Sequence, residues 1–289
     1  MSRLATNAIL EQINESFRVK EDILPYIPTP LHYHPHYELV WIRKSTGLRI
    51  VGDHIDRFQD DDMVLMGPNL PHVWENDKEY YAGDPHLKVD VYVVHFTEDI
   101  LRDLMRFPEL TDMKQIFALS QRGLRIVGEA NRQLREVIAQ LYRSTSFERM
   151  ILFLRIFQIL HGSTNTQLLS SANFARFFNG QDSDRLRKIY EYIGKNFARN
   201  IQLEEISAVA CLSPTAFCRY FKQKTGQSFI SYLNNFRLGY ARNLLDSKTY
   251  KISTVAEMCG FQDISYFNRI FKQCNKMTPT AYIQRMQTD

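Results

Sequence analysis

The sequence predicts an α+β protein whose two halves differ in secondary structure. Up to about residue 98, short aromatic and β-branched runs alternate with Gly, Pro and Asp, which is typical of strands in a sandwich or small barrel. Beyond residue 98 the apolar residues repeat at helical spacing. Between residues 203 and 283 one helix-turn-helix pattern occurs twice. We therefore expect a β-rich N-terminal domain and an all-α C-terminal domain.

Length and composition describe a globular chain. With 289 residues, 44% of them apolar and 24% charged, the chain is long enough for two domains with separate cores. The N-terminus lacks the apolar core of a signal peptide, and no run approaches the roughly 18 apolar residues of a membrane span. We expect a cytoplasmic protein without membrane contact.

The cysteines indicate reduced thiols. Because they have no close CxxC spacing, they suggest neither a zinc site nor a disulfide framework. The four are Cys211, Cys218, Cys259 and Cys274.

The N-terminal part contains five runs with strand composition, at residues 37–42, 48–51, 54–58, 63–66 and 87–96. Turn-forming residues separate them, and Gly52-Asp53 suits a hairpin. Several short strands at regular spacing predict two packed sheets or a closed barrel.

A group of potential ligands lies among these strands: His32-x-His34-x-x-x-Glu38, followed later by His72. In a strand, even spacing would turn the first three to one face, and His72 could join them from a partnering strand. Three imidazoles and a carboxylate suit a divalent first-row metal. The same four residues could instead surround an organic effector, or pack in the core as hydrogen-bonded groups.

Residues 31–96 resemble the cupin family, which combines HxH, a nearby Glu and a later His on a small barrel of jelly-roll type. Asp61-Asp62 stands where that family usually has Gly-Asp, so the turn there is expected to be altered. The resemblance implies a barrel over residues 1–98 that holds an effector, with or without a divalent metal.

Residues 99–162 are expected to be helical. One predicted helix carries an apolar stripe, and residues 147–160 are almost wholly apolar, which exceeds what an isolated surface helix needs. This second helix packs either against the β domain or against its copy in a second chain. Its candidate dimer contacts are Leu152, Leu154, Ile156 and Ile159. Residues 163–182, rich in Ser, Thr, Asn and Gln, have the composition of a linker.

In the repeat, the first copy comprises a helix at 206–210, a turn at 211–213 and a helix at 214–224; the second comprises 255–259, 260–263 and 264–272. Ser213 and Asp263 are placed as N-caps. Aromatic and aliphatic residues at i, i+3 and i+4 would be buried on one face of each second helix.

The opposite face of each second helix has the chemistry of a DNA-reading surface, with short polar groups near its start and cations one turn further. The predicted DNA contacts are Thr215, Cys218, Arg219 and Lys222 in the first copy, and Ser265, Asn268, Arg269 and Lys272 in the second.

The charged residues are also distributed unequally between the two parts of the chain. Residues 183–289 contain 16 Lys and Arg against 8 Asp and Glu; the remaining residues therefore contain 20 of the total 36 basic and 24 of the total 32 acidic residues. The excess of positive charge accompanies the repeat, which supports phosphate contact there.

The repeat resembles the DNA-binding domain of the AraC/XylS family of bacterial transcription regulators. The resemblance spans about residues 184–283, where Lys276 replaces the usual helix-ending glycine and Ile283 the usual arginine. It rests on Leu212-Ser-Pro214, Arg219-Tyr-Phe-Lys222, Thr225-Gly226, the run 237–241, Gly260-Phe261, Tyr266-Phe267 and Thr278-Pro279.

This resemblance implies four regions: an effector-sensing barrel at 1–98, a helical packing or dimerisation segment at 99–162, a linker at 163–182 and the DNA-binding domain at 183–289. It also implies double-stranded DNA, a small-molecule effector for which a sugar is one candidate, a second copy of the chain and RNA polymerase as partners. The notable alternative is a metal-dependent cupin enzyme fused to a DNA-binding module. A constitutive nucleoid-type binder is disfavoured by the net charge of only +4 and by the two base-reading faces.

Overall fold

The computed structural model describes residues 17–29, 31–163, 165–172, 174, 183–246 and 250–285. The chain divides into two compact units, one made up of residues 1–54 and 58–175 and the other of residues 55–57 and 176–289. Each unit is described separately. Across the described residues, no helix combines the length and the apolar character needed to cross a membrane.

The N-terminal unit is rich in β-structure. Its strands are β1 (Phe17–Leu24), β2 (Tyr37–Lys44), β3 (Gly47–Val51), β4 (His54–Phe58), β5 (Asp62–Met66), β6 (His72–Asn76), β7 (Val89–Phe96), β8 (Leu124–Ile126) and β9 (Thr166–Leu168). Its helices are α1 (Glu98–Leu104), α2 (Lys114–Ser120), α3 (Gly128–Arg143) and α4 (Ser146–His161), with 3-10 turns at Lys78–Tyr81 and Pro108–Met113. All five predicted strands are present, as β2, β3, β4, β5 and β7, whereas β1, β6, β8 and β9 were not among the predicted runs.

The large sheet has the order β1-β7-β2-β5-β8-β9, and β2 lies in its interior. Side chains alternate across a strand. Leu39 and Trp41 therefore join the apolar core that includes α3 and α4, whereas Val40 and Ile42 face a cavity on the other side. Both faces of β2 are covered, which explains why six consecutive residues are buried.

Helices α3 and α4 close one face of the large sheet. The rings of Phe17 and Phe153 stack with centroids 4.0 Å apart, and Leu134, Ile138 and Leu141 are fully buried. Two predicted dimer contacts, Ile156 and Ile159, are wrong because they are 2% and 7% exposed within this core. The apolar side chains that α4 leaves exposed are instead Phe147 and Ile151, at 78% and 51%.

A second sheet has the order β4-β3-β6. It is joined to the large sheet by Arg49 of β3, which donates to the carboxylate of Asp62 on β5; both side chains are inaccessible to solvent. The strands of the described residues thus form two open sheets and not one closed barrel, which corrects the expectation of a barrel.

The turn before β5 keeps its shape without glycine. Asp61 adopts a φ of 65°, in the left-handed region that aspartate tolerates better than most residues. Its carboxylate accepts from the indole Nε1 of Trp41 at 3.3 Å and from Arg135. Its carbonyl accepts from Asn131 Nδ2 at 2.9 Å. The alteration that Asp61-Asp62 predicted for this turn is therefore offset by side-chain contacts.

The predicted boundaries after residue 98 need two additions. The segment 99–162 is mostly helical, but β8 within it pairs with β5. Residues 166–168, inside the predicted linker, form β9 and pair with β8. The part of the predicted linker at 175–182 lies outside the described residues.

The C-terminal unit is all-α in its described residues. Its helices are α5 (Ser183–Asn196), α6 (Leu203–Val209), α7 (Pro214–Thr225), α8 (Phe229–Asp246), α9 (Ile252–Met258), α10 (Ile264–Asn275) and α11 (Pro279–Arg285). The pairs α6/α7 and α9/α10 are the two predicted helix-turn-helix copies. The predicted N-caps are confirmed: Ser213 Oγ accepts from the Ala216 amide at 3.4 Å and Asp263 Oδ1 from the Tyr266 amide at 2.8 Å.

Helix α8 contributes to both copies. Near its start, Phe229 packs against Phe217 and Phe221, with centroids 5.4 and 5.8 Å apart. Near its end, Leu238 and Leu245 belong to the core of the second copy. Helix α8 is thus the shared support of both recognition helices, α7 and α10.

Each copy has two positions in the left-handed region, and glycine occupies a different one of the two in each copy. In the helix-turn-helix turn, Cys211 has a φ of 55° and its counterpart Gly260 a φ of 80°. At the end of the recognition helix, Gly226 has a φ of 74° and Lys276 a φ of 61°. A Cβ at Gly260 would lie 2.6 Å from the Phe197 carbonyl oxygen, so glycine is required there for space as well as for conformation.

Replacing Lys276 with glycine should stabilise the C-terminal unit by up to about 1 kcal/mol, because a Cβ is unfavourable in the left-handed region. Urea unfolding followed by far-UV circular dichroism would measure the change. Lys276→Ala, which keeps the Cβ, is the matched control and should stay near the parent. A glycine variant no more stable than the alanine variant would contradict this account.

Candidate functional site

The two recognition helices present the predicted DNA contacts to solvent. Four aromatic residues, Phe217, Phe221, Phe267 and Phe271, anchor the buried faces of α7 and α10. All eight predicted contacts lie on the exposed faces: Thr215, Cys218, Arg219, Lys222, Ser265, Asn268, Arg269 and Lys272. These positions are available to base edges and phosphates.

The second copy holds its arginine more firmly. The Arg269 guanidinium lies 5.2 Å from the ring centroid of Tyr266, within cation–π range. The Tyr266 hydroxyl accepts from Asn234 Nδ2 of α8 at 2.7 Å. Arg269 is therefore positioned through Tyr266 by the central helix.

In the N-terminal unit, the four residues of the predicted ligand group do come together. One ligand atom from each of His32, His34, Glu38 and His72 lies within 4.8 Å of the others. The expectation that His32, His34 and Glu38 share one face of a strand is wrong, because His32 and His34 precede β2 and do not belong to a strand. A pair of backbone hydrogen bonds holds His32 beside His72, at 3.1 and 2.9 Å.

Backbone carbonyls fix the tautomer of two of these rings. His34 Nδ1–H donates to the His36 carbonyl at 3.1 Å, and His72 Nδ1–H donates to the Leu70 carbonyl at 2.7 Å. Their Nε2 atoms then face the same carboxylate oxygen, Glu38 Oε2, at 2.8 and 2.9 Å. Lone pairs at these distances repel, so each contact requires a proton on Nε2 or a cation shared with the carboxylate.

Burial sets the electrostatics of this cluster. Burial alone would raise the pKa of the Glu38 carboxyl, but the charges of His72 and His95, with hydrogen bonds from His34 and His72, hold it well below its usual range. Burial alone would lower the pKa of His34, yet the hydrogen bond and charge of Glu38 raise it. Burial and the neighbouring His34 and His95 lower the pKa of His36 to about 4.

His95 is a member of the cluster that the sequence reasoning missed. It lies opposite Glu38 in the pairing of β2 with β7, and its Nε2 is 3.5 Å from Glu38 Oε1. One sequence signal was available: Val91, Val93 and His95 are two residues apart and so share one face of a run already predicted as a strand. Its use required knowledge of the β2–β7 register.

A cavity of about 350 Å³ opens beside the cluster, between the two sheets. That volume lies within the usual range for small-molecule sites. His32, Glu38, His72 and His95 line one part of it, whereas His34 does not face it and contacts Glu38 from behind. The other lining residues are Arg18, Lys20, Asp22, Leu24, Ile27, Pro28, Thr29, Val40, Ile42, Trp74, Val91 and Val93.

The donor set fits a divalent metal. Metal-bound histidines generally donate their second ring N–H to a carbonyl or carboxylate, which fixes the ring and leaves one lone pair for the ion. His34 and His72 have this arrangement. With His32 and the Glu38 carboxylate, they offer three nitrogens and oxygen around one point, a set suited to first-row metals.

Several of the known proteins to which this chain is similar are transcription regulators. Residues 206–285 match the family model described as a helix-turn-helix domain. Over 265 residues the chain is 24% identical to the HTH-type transcriptional activator RhaS of Escherichia coli O1:K1, covering 88% of this chain and 87% of RhaS. This similarity therefore extends into both units.

Two solved structures are also similar. A probable AraC family transcriptional regulator from Rhodopseudomonas palustris CGA009 is 27% identical, with 36% of this chain and 97% of that chain covered and a TM-score of 0.34. ToxT from Vibrio cholerae O395 is 17% identical, with 94% and 98% covered and a TM-score of 0.37.

Proposed function

We propose that this chain, which belongs to the AraC/XylS family of transcription regulators, activates transcription from operator DNA in response to a small molecule bound in its N-terminal unit. The relatives it matches are regulators and not enzymes. The alternative of a metal-dependent cupin enzyme is therefore not retained. Contact with RNA polymerase and a cytoplasmic location belong to the same proposal.

The repeated recognition surface carries the proposal. Two helices of equal length, α7 and α10, are held by one shared helix and expose equivalent arginine and lysine side chains. We assign base-edge contacts to Arg219 and Arg269, because arginine reads guanine in the major groove with two hydrogen bonds. Lys222 and Lys272, one turn further, are assigned to phosphates. Thr215, Cys218, Ser265 and Asn268 complete the two base-reading edges.

The cavity between the sheets is assigned to the effector. Its lining combines apolar walls with a few converging polar groups, as is usual for small-molecule sites. His32, Glu38 and His72 would contact the effector directly, and His34 would position Glu38. Two facing sheets that carry this ligand pattern also support a cupin-type origin for the unit.

A divalent metal in the cluster is a second candidate ligand. The observation that favours it is the pair of Nε2 atoms aimed at one carboxylate oxygen. A metal bound by His32, His34, His72 and Glu38 would supply positive charge and an open coordination position toward the cavity. It would serve ligand binding in a regulator and would need no catalytic role.

We also propose that the chain forms a homodimer through α4. Phe147, Ile151 and Leu154 follow one another at i, i+4 and i+7, so they lie along one face of the helix. The first two are mostly exposed. Dimerisation would place two DNA-binding units on one operator and raise their effective concentration without new contacts to DNA.

Arg219→Ala and Arg269→Ala should each weaken specific operator binding by roughly 1 to 3 kcal/mol while leaving the fold unchanged. Lys222→Ala and Lys272→Ala should mainly reduce the dependence of affinity on salt. Fluorescence anisotropy with an operator selected from genomic fragments, at several salt concentrations, would measure both effects. Lys195→Ala removes an exposed charge outside both recognition helices and is the control. Arginine variants that bind and discriminate like the parent would contradict the assignment.

Metal affinity should fall as the pH falls, because ligation needs neutral imidazoles. The raised pKa of His34 keeps a proton on this ring above the ordinary 6.5, so zinc titrations should be much weaker at pH 6 than at pH 8. His34→Ala should lower zinc affinity by about tenfold or more. His86→Ala, an exposed histidine outside the cluster, should leave it unchanged.

The contribution of His34 to the thermal stability of the metal-free N-terminal unit should have the opposite pH dependence. A raised histidine pKa stabilises the fold below the unfolded value, and this contribution is lost as the pH rises through the folded value. The pKa of His36, lowered to about 4, acts in the opposite direction, so the contribution of His34 is measured as the difference between the parent and His34→Ala. With a chelator, His34→Ala should lower the unfolding temperature more at pH 6 than at pH 8, and zinc should reverse this order. Both tryptophans, Trp41 and Trp74, lie in this unit, so their fluorescence reports on it selectively. Equal zinc binding by parent and His34→Ala would exclude the metal site.

Phe147→Ser combined with Ile151→Ser should weaken dimerisation by about tenfold or more, since exposed apolar side chains at the centre of an interface dominate its affinity. Sedimentation of the full chain at tens of micromolar, as an order of magnitude, would measure the dimer fraction. Phe107→Ser, at another exposed position of the same unit, is the control. A parent protein that is monomeric at this concentration would refute the proposal.

A further inference from the structure

A short segment inside the predicted linker is held firmly against the N-terminal unit. We call this segment, residues 169–172 and Phe174, the strap. The Ser170 amide donates to the Arg122 carbonyl at 2.7 Å, and Arg122 Nε donates to the Ser170 carbonyl at 2.8 Å. Ser170 and Phe174 are 0% and 1% exposed. The strap is therefore a packed part of this unit, although its composition is that of a linker.

The turn between β3 and β4 supports the strap. Asp53 Oδ1 accepts from the Ser171 amide at 2.8 Å. Gly52 adjoins the strap so closely that a Cβ there would lie 2.7 Å from the Ser170 Cβ and 2.9 Å from a ring atom of Phe174. Because no side chain fits between the turn and the strap, docking of the strap depends on the position of this turn.

A second short segment connects this turn to the histidine cluster. We call residues 69–71 the bridge. The carbonyl of its last residue, Pro71, accepts from the Gly52 amide at 2.8 Å. The carbonyl of its middle residue accepts from His72 Nδ1 at 2.7 Å, and the amide of its first residue donates to the His34 carbonyl at 2.7 Å. A displacement of His34 or His72 therefore acts on the residues that hold the turn.

Every link in this series is a hydrogen bond or a close backbone contact. One hydrogen bond contributes about two- to tenfold to an equilibrium constant, so docking of the strap can shift by such a factor while both sheets stay folded. His72 lines the cavity that we assign to the effector, and the strap lies where the chain continues toward the DNA-binding unit. The series thus begins and ends at the two places that a ligand-controlled regulator has to connect.

We propose that the bridge couples the strap to the histidine cluster. A ligand that repositions His34 or His72 changes how firmly the strap docks, and the docked strap fixes the point at which the chain leaves the N-terminal unit. All the contacts involved lie within that unit. This inference rests on the proposed function of the cavity, and it adds the segment that transmits occupancy of the cavity to the linker.

Hydrogen exchange of the full chain, followed by mass spectrometry, tests the contacts of the strap. Asp53→Ala removes the acceptor of the Ser171 amide and should speed exchange of the strap amides by about two- to tenfold. Gly52→Ala should do the same by displacing the strap. The matched controls are Asp84→Ala, at an exposed aspartate that also accepts from a backbone amide, and Gly83→Ala, whose Cβ would meet nothing within 4 Å at a φ of 81°. Strap exchange at the parent rate in both Asp53→Ala and Gly52→Ala would overturn the proposal.

Two variants of the cluster test the coupling itself. Glu38→Gln and His34→Ala remove contacts that fix the rings without touching the strap. Each should speed exchange of the strap amides by about twofold or more, while the amides of α3 keep the parent rate. His86→Ala, outside the cluster, should change neither. Strap exchange at the parent rate in both cluster variants would refute the coupling. Faster exchange throughout the unit would also refute it, because that result shows lost stability and not a coupled strap.

Operator binding by the same preparations tests the proposed function separately. A parent protein that binds operator DNA while its strap exchanges independently of the cluster retains the proposed function and loses only this device. A strap that responds to the cluster in a protein without operator binding would keep the device and remove the proposed function.

Discussion

The buried ion pair between Arg49 and Asp62 is the contact on which the shape of the N-terminal unit depends. It joins β3 of one sheet to β5 of the other, and neither side chain reaches solvent. Removing two charges from water is costly, and the cost is offset only while both partners keep their geometry. Glu38 and His72 make a second polar contact between the sheets, from β2 to β6. These two contacts fix the distance between the sheets. The sheets could close the cavity between them only by breaking the two contacts.

The C-terminal fold was predictable because its determinants are local. Helical spacing of aromatic residues, N-caps at Ser213 and Asp263, and turn residues at fixed offsets all lie within a few positions of the elements they define. Even the unusual Lys276 could be placed in the left-handed region by comparison with Gly226 in the first copy. The short strands β8 and β9 could not be predicted in this way, since three residues carry no period and gain strand structure only from partners 40 or more positions away in the chain.

For the N-terminal site, the sequence predicted most of the residues that come together but not the way in which the chain brings them together. The spacing of His32, His34 and Glu38 suggested a common face of one strand, whereas the two histidines reach Glu38 from an irregular segment held by His72. His95 was missed because its place depends on the register between β2 and β7, which are separated by about 50 residues. The local sequence pattern thus identified four residues of the cluster. The pairing of the strands determines that His95 also belongs to it and which members face the cavity.

Helix α8 has a consequence for folding. Phe229 and Tyr232 belong to the aromatic core of the first copy, and Leu238 and Leu245 to the core of the second. Arg237, between them, donates to the Phe197 carbonyl at 2.8 Å and lies over the ring of Phe261. Neither copy can lose this helix without exposing the core of the other, so the two should open as one cooperative unit in hydrogen exchange. We therefore expect the two DNA-reading helices to share one stability and to lose their structure together.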